Sequence, residues 1–188
     1  MELHGERLIP ASLEATWAAL NDPETLKACI AGCESLERTG DDAYTAAVAM
    51  KIGPVSARFK GNLKMTNVDA PNGYTIAFDG QGGVVGFGKG SADVKLSAEG
   101  DAATKLAYSA RATVGGKMAQ IGSRLIDAAA GKITDDFFKA FEASLQARQA
   151  AIEGVPVAAP ARMREPAGML GWVLAAIVAL AAIYFILR

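Results

Sequence analysis

Hydrophobic and polar residues alternate with a period of two in several consecutive segments of this chain. In the clearest segment, Val55, Phe59, Leu63 and Met65 share one parity, while arginine, lysine and asparagine occupy the other. This pattern predicts a half-buried β-strand. Similar runs occupy 44–52, 74–78, 92–96 and 106–112, and a first strand is expected over 1–10. Turn-forming residues separate several runs, so the strands are expected to form an antiparallel meander with one solvated face.

Helical periodicity is present in three segments. Ser12 is placed to cap a short helix that follows it, and Asp22 is placed to cap a second short helix over 23–30. Apolar residues spaced by three and four predict one long amphipathic helix over 116–151. These elements together predict an α+β fold of the helix-grip type, in which a curved antiparallel sheet wraps around a long C-terminal helix.

Small residues mark the middle of the predicted inner face of the sheet. Gly88 and Gly90 share one parity, and Gly80 and Gly82 follow the neighbouring strand, so these positions are expected to leave space beneath the helix. An apolar space without acid–base groups would suit a lipophilic ligand, whereas the alternative is that the surrounding residues simply fill a core. The residues expected to line the space are Trp17, Met50, Phe59, Phe78, Phe87, Gly88, Met118, Ile121 and Leu125.

A glycine-rich segment, GQGGVVGFGKG, has a partial likeness to a phosphate-binding loop. Its stretch from Gly83 to Lys89 nearly matches GxxxxGK, but Gly90 stands where Ser or Thr would hold magnesium. A strand pattern follows instead of a helix whose N-terminus would bind phosphate. We therefore interpret the segment as a hairpin whose tip residues, Val84 and Val85, form the cavity entrance, with an ordinary turn as the alternative.

An uninterrupted apolar run over 168–187 precedes the last residue, Arg188. As a helix rising about 1.5 Å per residue, such a run matches the thickness of a bilayer, so we expect a transmembrane tail anchor over 168–188. The proline-containing segment 154–167 is expected to be a linker, which leaves 1–153 as the folded domain. Because no apolar stretch of signal-peptide length begins the chain, the domain is expected to face the cytoplasm at the cytoplasmic membrane.

Composition and isolated reactive residues exclude several function classes. A formal net charge of −1 gives no bias towards nucleic acid, so no nucleic-acid partner is expected. His4 is the single histidine and has no neighbours at metal-ligand spacing, so neither a metal site nor catalytic residues are expected. Cys29 and Cys33 match no redox CxxC motif and are expected to be buried thiols. The polar candidates on which an enzyme would depend are Tyr44, Tyr74, Tyr108, Gln120 and Ser123.

Three long stretches resemble the CoxG family of carbon monoxide dehydrogenase subunits, within the START-like (SRPBCC) ligand-binding superfamily. They are CIAGCESLE at Cys29–Glu37, KIGPVSARFKG at Lys51–Gly61 and VGGKMAQIGSRLID at Val114–Asp127. The proline-rich linker and the C-terminal membrane helix are also similar to those of many members. Ala31 departs from the pattern, since the family more often has proline at that position.

The resemblance implies a helix-grip fold without catalytic residues of its own. It further implies an accessory role, in which the protein recruits a molybdenum-containing hydroxylase such as carbon monoxide dehydrogenase to the lipid bilayer. The cavity is then expected to bind a quinone, either menaquinone or ubiquinone, and to couple the enzyme to the respiratory chain by electron transfer. Two alternatives remain open: a purely structural membrane anchor without ligand, and a START-like enzyme acting on a hydrophobic substrate.

Overall fold

The computed structural model describes residues 1–152, which form a curved seven-stranded antiparallel sheet and a long C-terminal helix. The strands are β1 (Glu2–Ile9), β2 (Cys33–Arg38), β3 (Ala43–Ile52), β4 (Val55–Asp69), β5 (Gly73–Gln81), β6 (Phe87–Ala98) and β7 (Thr104–Gly115). The α-helices are α1 (Leu13–Leu20), α2 (Pro23–Cys29) and α3 (Ser123–Ile152). Two short 3-10 helices cover Gly83–Val85 and Gly116–Ile121.

The sheet order is β1-β7-β6-β5-β4-β3-β2, and every neighbouring pair is antiparallel. The predicted meander is therefore confirmed from β3 to β7, and β1 closes onto the outer edge of β7. The sequence pattern did not predict β2. Of its six residues only Leu36 is buried, which is too little alternation to produce a period-two signal.

Both predicted short helices are present, with the predicted caps. The Ala15 N–H donates a hydrogen bond to Ser12 Oγ at 3.3 Å, at the start of α1. The Glu24 N–H donates to Asp22 Oδ1 at 3.2 Å, with proline in the first turn of α2. These side chains satisfy backbone donors that a helix N-terminus otherwise leaves unpaired, so the sequence ends both loops at defined positions.

The long helix begins at Ser123, so the prediction of one helix from Gly116 was wrong at its start. Gly116 and Gly122 have φ angles of 77° and 92°, in the left-handed region, and they bracket the second 3-10 helix. Hydrophobic spacing of three and four fits a 3-10 turn as well as an α-helix, so the pattern alone did not reveal this break. From Ser123 onward α3 is uninterrupted to Ile152.

The best-packed core lies beneath the C-terminal half of α3. Phe141 is fully buried there, and Phe138 and Leu145 lie within the same cluster as Ile9 and Leu106. By contrast Leu125, in the first turn of the helix, is half exposed. The sheet and α3 are therefore tightly packed at one end, and space between them is available only towards the other.

The expected linker over 154–167 and the expected anchor over 168–188 lie outside the described residues. The chain divides into two units between Val155 and Pro156, and the first unit contains the described residues. Among the helices of residues 1–152, none combines the length and the apolar character that a membrane crossing requires.

Candidate functional site

An apolar cavity of about 340 Å³ lies between the concave face of the sheet, α2 and the middle of α3. Its volume falls within the range of small-molecule binding sites, roughly 300–1,000 Å³. Most of its wall consists of aliphatic and aromatic side chains, which favour a ligand with a hydrophobic body. The main contributors from the sheet and from α3 are Leu63, Met65, Ile76, Val94, Phe137 and Phe138.

The polar side chains that face this cavity are three tyrosines and Thr134. Tyr44 and Tyr74 are buried, and Tyr108 is half buried. Burial, reinforced by the neighbouring Tyr44, raises the pKa of Tyr74 far above its ordinary value. Its hydroxyl therefore stays protonated at neutral pH and acts as a hydrogen-bond donor to a ligand oxygen, not as a base.

Aromatic contacts hold the tyrosine rings in place. The rings of Trp17 and Tyr74 meet edge to face with centroids 5.6 Å apart, and those of Tyr108 and Phe138 lie 5.5 Å apart. Such pairs add stability beyond the area they bury and fix the orientation of each ring. The phenol groups consequently project from a rigid wall.

The cavity reaches the protein surface between the end of α2 and α3. Two of its lining residues, Ala31 and Ile133, are exposed, the latter by 41%. Near this opening an ion pair joins the two helices, because Arg148 lies 2.6 Å from the Asp22 carboxylate that caps α2. Hydrogen bonds from Thr25 and Arg148 lower the pKa of Asp22, so this carboxylate is ionised at neutral pH and holds α2 against α3.

A row of small residues crosses the concave face beside the cavity. Ala46, Gly61, Gly80 and Gly88 stand directly opposite one another on β3, β4, β5 and β6. A Cβ atom built on Gly80 would have its nearest neighbour at 3.8 Å, and one built on Gly88 would meet nothing within 4 Å. This part of the predicted space is therefore open.

Two other glycines that were expected to leave space are covered by aromatic rings. A Cβ atom on Gly82 would lie 2.5 Å from the Phe59 ring, and one on Gly90 would lie 2.9 Å from the Phe78 ring. Gly90 also approaches the backbone of β7, where the added atom would lie 2.1 Å from the Arg111 carbonyl oxygen. These glycines allow close packing and do not enlarge the space.

None of the nine residues expected to line the space belongs to the wall of the 340 Å³ cavity. Met50, Phe59, Phe78 and Gly88 face the same concave side but lie further along their strands, towards the loops that precede α3. Whether they contact a ligand stays a prediction. The remaining five are Trp17, Phe87, Met118, Ile121 and Leu125.

These five have different surroundings. Trp17 packs behind the cavity residue Tyr74, and Met118 is buried in the second 3-10 helix. Ile121 and Leu125 lie at the start of α3, where Leu125 is 50% exposed. Phe87 faces the convex side of the sheet, because it precedes the concave residue Gly88 in β6 and its ring lies over Gly115 on β7.

Val84 and Val85 occupy the first 3-10 helix, at the end of the sheet remote from the observed opening. Val84 is 84% exposed and Val85 is half buried. Their role as a cavity entrance stays a prediction.

Sequence reasoning missed the contribution of α2, which supplies Leu26 to the cavity and is followed by the lining residues Ile30 and Ala31. No periodic signal in so short a helix identifies a wall. The tyrosines were named only as candidates for an enzyme, although their parity on β3, β5 and β7 is inward. The other two polar candidates, Gln120 and Ser123, are exposed and lie outside this cavity.

The remaining reactive groups within residues 1–152 form no further site. No three His, Cys, Asp or Glu side chains of this part of the chain cluster closely enough to hold a metal ion. Cys29 is buried and Cys33 is half buried, and burial raises the pKa of both thiols. Both are therefore protonated and weakly reactive at neutral pH.

The sheet that wraps around α3 and the apolar cavity between them define a helix-grip, START-like protein. The fold is shared with a START superfamily protein from Mycobacterium smegmatis, at 16% identity and a TM-score of 0.58 over 77% of this chain and 97% of that chain. It is also shared with the ZhuI aromatase/cyclase from Streptomyces sp. R1128, at 10% identity and a TM-score of 0.63 over 81% and 97%.

Within this class the chain belongs to the CoxG family of carbon monoxide dehydrogenase subunits, whose model matches residues 5–146. A conserved protein from Geobacillus kaustophilus has a similar structure, at 32% identity and a TM-score of 0.74 over 78% of this chain and 95% of that chain. The comparison with curated proteins gives no match.

Proposed function

We propose that this chain is a non-catalytic accessory protein that binds a lipophilic quinone and recruits a molybdenum-containing carbon monoxide dehydrogenase, or a related hydroxylase, to the cytoplasmic membrane. The observation that carries the proposal is the 340 Å³ apolar cavity, whose polar groups include tyrosine hydroxyls that stay protonated. Membership of the CoxG family supports the association with carbon monoxide dehydrogenase. The START-like fold supports a role in ligand binding.

The chemistry of a quinone matches that of the cavity. Its ring has apolar faces, for which Phe137 and Phe138 offer aromatic surface, and its carbonyl oxygens accept hydrogen bonds but donate none. Tyr44, Tyr74 and Tyr108 supply hydroxyl donors without introducing a charge. A ligand with an anionic or cationic head would lose its hydration in this cavity without gaining an opposite charge.

A long isoprenoid tail needs more room than this cavity provides, since 340 Å³ is near the lower limit for a small-molecule site. The open row at Gly80 and Gly88 leads from the cavity along the concave face, towards Met50, Phe59 and Phe78. We place the tail of menaquinone or ubiquinone along this row. Each methylene that is buried there contributes about 0.8 kcal/mol, so shielding the tail lets the quinone leave the bilayer.

The C-terminal sequence supplies the means of attachment in this proposal. The apolar run within 168–188 would anchor the protein, and the segment 154–167 would act as its linker, with the domain facing the cytoplasm. At about 3.1 Å per residue an extended linker of this length reaches roughly 40 Å. That reach would let the domain accept a quinone at the bilayer and carry it to the dehydrogenase, which would couple the enzyme to the respiratory chain.

A structural anchor without ligand and a START-like enzyme are the alternatives. The aromatase/cyclase among the similar structures shows that enzymes use this fold. However, the side chains that line the cavity include no histidine, carboxylate, lysine or cysteine, and Tyr74 is a poor base because its pKa is raised. General acid–base chemistry needs a group that titrates near neutral pH, so the non-catalytic function is favoured.

Quinone binding is tested by native mass spectrometry of the full chain, purified in detergent from a quinone-producing host, followed by extraction of bound lipid. We expect one quinone per chain. Ile76→Trp should fill the cavity and abolish this occupancy, whereas Val68→Trp, at an exposed site outside the cavity, should retain it. A protein that is empty and also refuses added quinone would favour the structural anchor.

Recruitment is tested by membrane fractionation of cells that contain the dehydrogenase. With the full chain, we expect dehydrogenase activity in the membrane fraction, and with a chain truncated after Val155 we expect it in the soluble fraction. Unchanged partitioning would contradict recruitment by this protein.

A further inference from the structure

Three loops meet at the end of the sheet where α3 begins. The β3–β4 turn reaches the first turn of α3, since a Cβ atom on Gly53 would lie 3.9 Å from Leu125 Cδ1. The loops that contain the two 3-10 helices also touch, since a Cβ atom on Gly116 would lie 2.6 Å from Gly86 Cα. The φ angles of Gly116 and Gly86 are positive, 77° and 130°, which allows this close approach of the two backbones.

Apolar side chains project from these loops into solvent. Val84 is 84% exposed at the tip of the first 3-10 helix, and Leu125 is 50% exposed. Val85 and Ile121 lie beside them and are half buried. We call Val84, Val85, Ile121 and Leu125 the loop end.

Basic residues accompany the loop end. Lys51 precedes the β3–β4 turn, Lys117 lies in the second 3-10 helix, and Arg124 lies in the first turn of α3. All three are exposed, and no ion pair involves them within residues 1–152. The nearest acidic residue along α3, Asp127, follows Leu125 by two positions and therefore points about 200° away around the helix. The surface around the loop end is consequently positive.

We propose that the loop end docks onto an anionic lipid surface, with Val84 and Leu125 inserted at the headgroup boundary and the three basic residues against lipid phosphates. Exposed aliphatic side chains flanked by lysine and arginine are typical of segments that lie in a membrane interface. A protein partner would be expected to bind through aromatic anchors, and none of the four residues of the loop end is aromatic. The docking rests on the proposed function, since it requires the protein to work at a membrane.

The length of the chain is compatible with this orientation. The 30 residues of α3 span about 45 Å, so the chain leaves the domain far from the loop end. The fourteen residues of 154–167 would span a comparable distance, roughly 43 Å, if extended. A protein anchored through 168–188 therefore has enough chain to turn its loop end towards the same bilayer.

Docking is tested by flotation of residues 1–155 with phosphatidylcholine vesicles that contain or lack about one third phosphatidylglycerol. This region corresponds to nearly the whole of the solved Geobacillus kaustophilus protein, which covers 95% of its own chain in the comparison and folds without a tail. We expect binding to the anionic vesicles, with about a fivefold contribution from each basic residue near the surface. Val84→Asp and Leu125→Asp should each weaken binding at least tenfold, and Lys117→Glu should weaken its dependence on the anionic lipid.

Leu8→Asp is the matched control, because Leu8 is 64% exposed but lies on β1, outside the loop end. It should leave vesicle binding unchanged. Equal losses for Leu8→Asp and Val84→Asp, or flotation that is absent or independent of anionic lipid, would overturn the docking proposal. Concentration-dependent dimerisation that Val84→Asp abolishes, without vesicle binding, would identify a second copy as the occupant and would also overturn it.

The two proposals fail separately. Quinone binding by the same domain in detergent micelles needs no lipid surface, so Val84→Asp should retain it. Loss of vesicle binding with retained quinone binding would support docking and leave the proposed function intact. A domain that docks on vesicles but takes up no quinone would support the membrane contact and contradict the proposed ligand.

Discussion

Tyr74 packs edge to face against Trp17, with ring centroids 5.6 Å apart and ring planes inclined by 64°. Tyr74 faces the cavity and Trp17 stands behind it, so the indole is one side chain removed from a bound ligand. Residues 1–155 contain no other tryptophan. Emission from this domain therefore comes from Trp17 and should report on occupancy of the cavity.

We expect a short-tailed quinone to quench Trp17 fluorescence with a saturable, one-site dependence on concentration. The measurement is a titration of residues 1–155 in detergent micelles, with Ile76→Trp excluded because it adds a second indole. Val94→Phe, which enlarges a lining side chain without adding tryptophan, should reduce saturable quenching, and Val68→Phe should not. Quenching that rises linearly and equals that of free tryptophan would argue against a site near Trp17.

The Tyr74 hydroxyl should contribute to affinity rather than to folding. Tyr74→Phe removes a donor to a quinone carbonyl oxygen, for which the expected loss is about 1 to 1.5 kcal/mol, or roughly five- to tenfold in affinity. Calorimetric titration measures this loss. A hydrocarbon analogue without carbonyl groups should bind the variant and the original protein equally. Equal weakening for both ligands would mean that the substitution disturbs the cavity wall instead of a hydrogen bond.

Most of the fold follows from the sequence because its local signals agree with one another. Alternation along β4 and the apolar stripe that contains Phe141 and Leu145 identify the two surfaces that pack together. The errors occur where one pattern fits two structures. The stripe continues through Met118 and Ile121, where positive φ angles at the flanking glycines produce a 3-10 helix instead of α3.

The cavity was less predictable because it arises from distances between elements. Leu26 and Ile133 become lining residues through the separation of α2 from α3, which no local pattern encodes. Glycines were equally ambiguous markers of space. Gly88 and Gly90 are two residues apart on one face of β6, yet one is open and the other lies beneath Phe78. Only the packing of the neighbouring strand separates these two cases.

The two glycines of β6 should therefore respond differently to the same substitution. Gly88→Ala places a methyl group in open space and should leave the free energy of unfolding within about 0.5 kcal/mol. In Gly90→Ala the methyl group would lie 2.1 Å from the Arg111 carbonyl oxygen, so strand separation should cost about 2 to 4 kcal/mol. Urea unfolding measures both changes. Similar losses at the two positions would contradict this picture of the concave face.

The ion pair between Asp22 and Arg148 should make stability depend on pH in the acidic range. Because the pKa of Asp22 is lowered below 3.8 in the folded state, its contribution is present above pH 3.8 and is lost as the pH falls through the folded pKa. Asp22 is 32% exposed, so solvent screening limits the contribution to about 1 kcal/mol. Asp22→Asn keeps the helix cap and removes the charge.

Urea unfolding of Asp22→Asn and the original protein between about pH 3 and pH 7 checks this expectation. The difference between them should be largest near neutral pH and should shrink below pH 3.8. Asp136→Asn is the matched control, because its partner Lys132 lies on the same helix and the pair does not join two elements. A difference that is constant with pH would exclude the ionised carboxylate as its source.

The open row at Gly80 and Gly88 makes the proposed path of the quinone tail testable. Gly88→Leu would place a side chain in this space while leaving the 340 Å³ cavity unobstructed, since Gly88 is not part of its wall. Affinity for a quinone with a single isoprene unit should be unchanged, whereas each methylene displaced from a longer tail should cost up to about 0.8 kcal/mol. Displacement titrations with quinones of increasing tail length, on Gly88→Leu and on Gly88→Ala, measure this dependence. A loss that is the same for every tail length would place the tail elsewhere, with the opening at Ala31 and Ile133 as the other exit from the cavity.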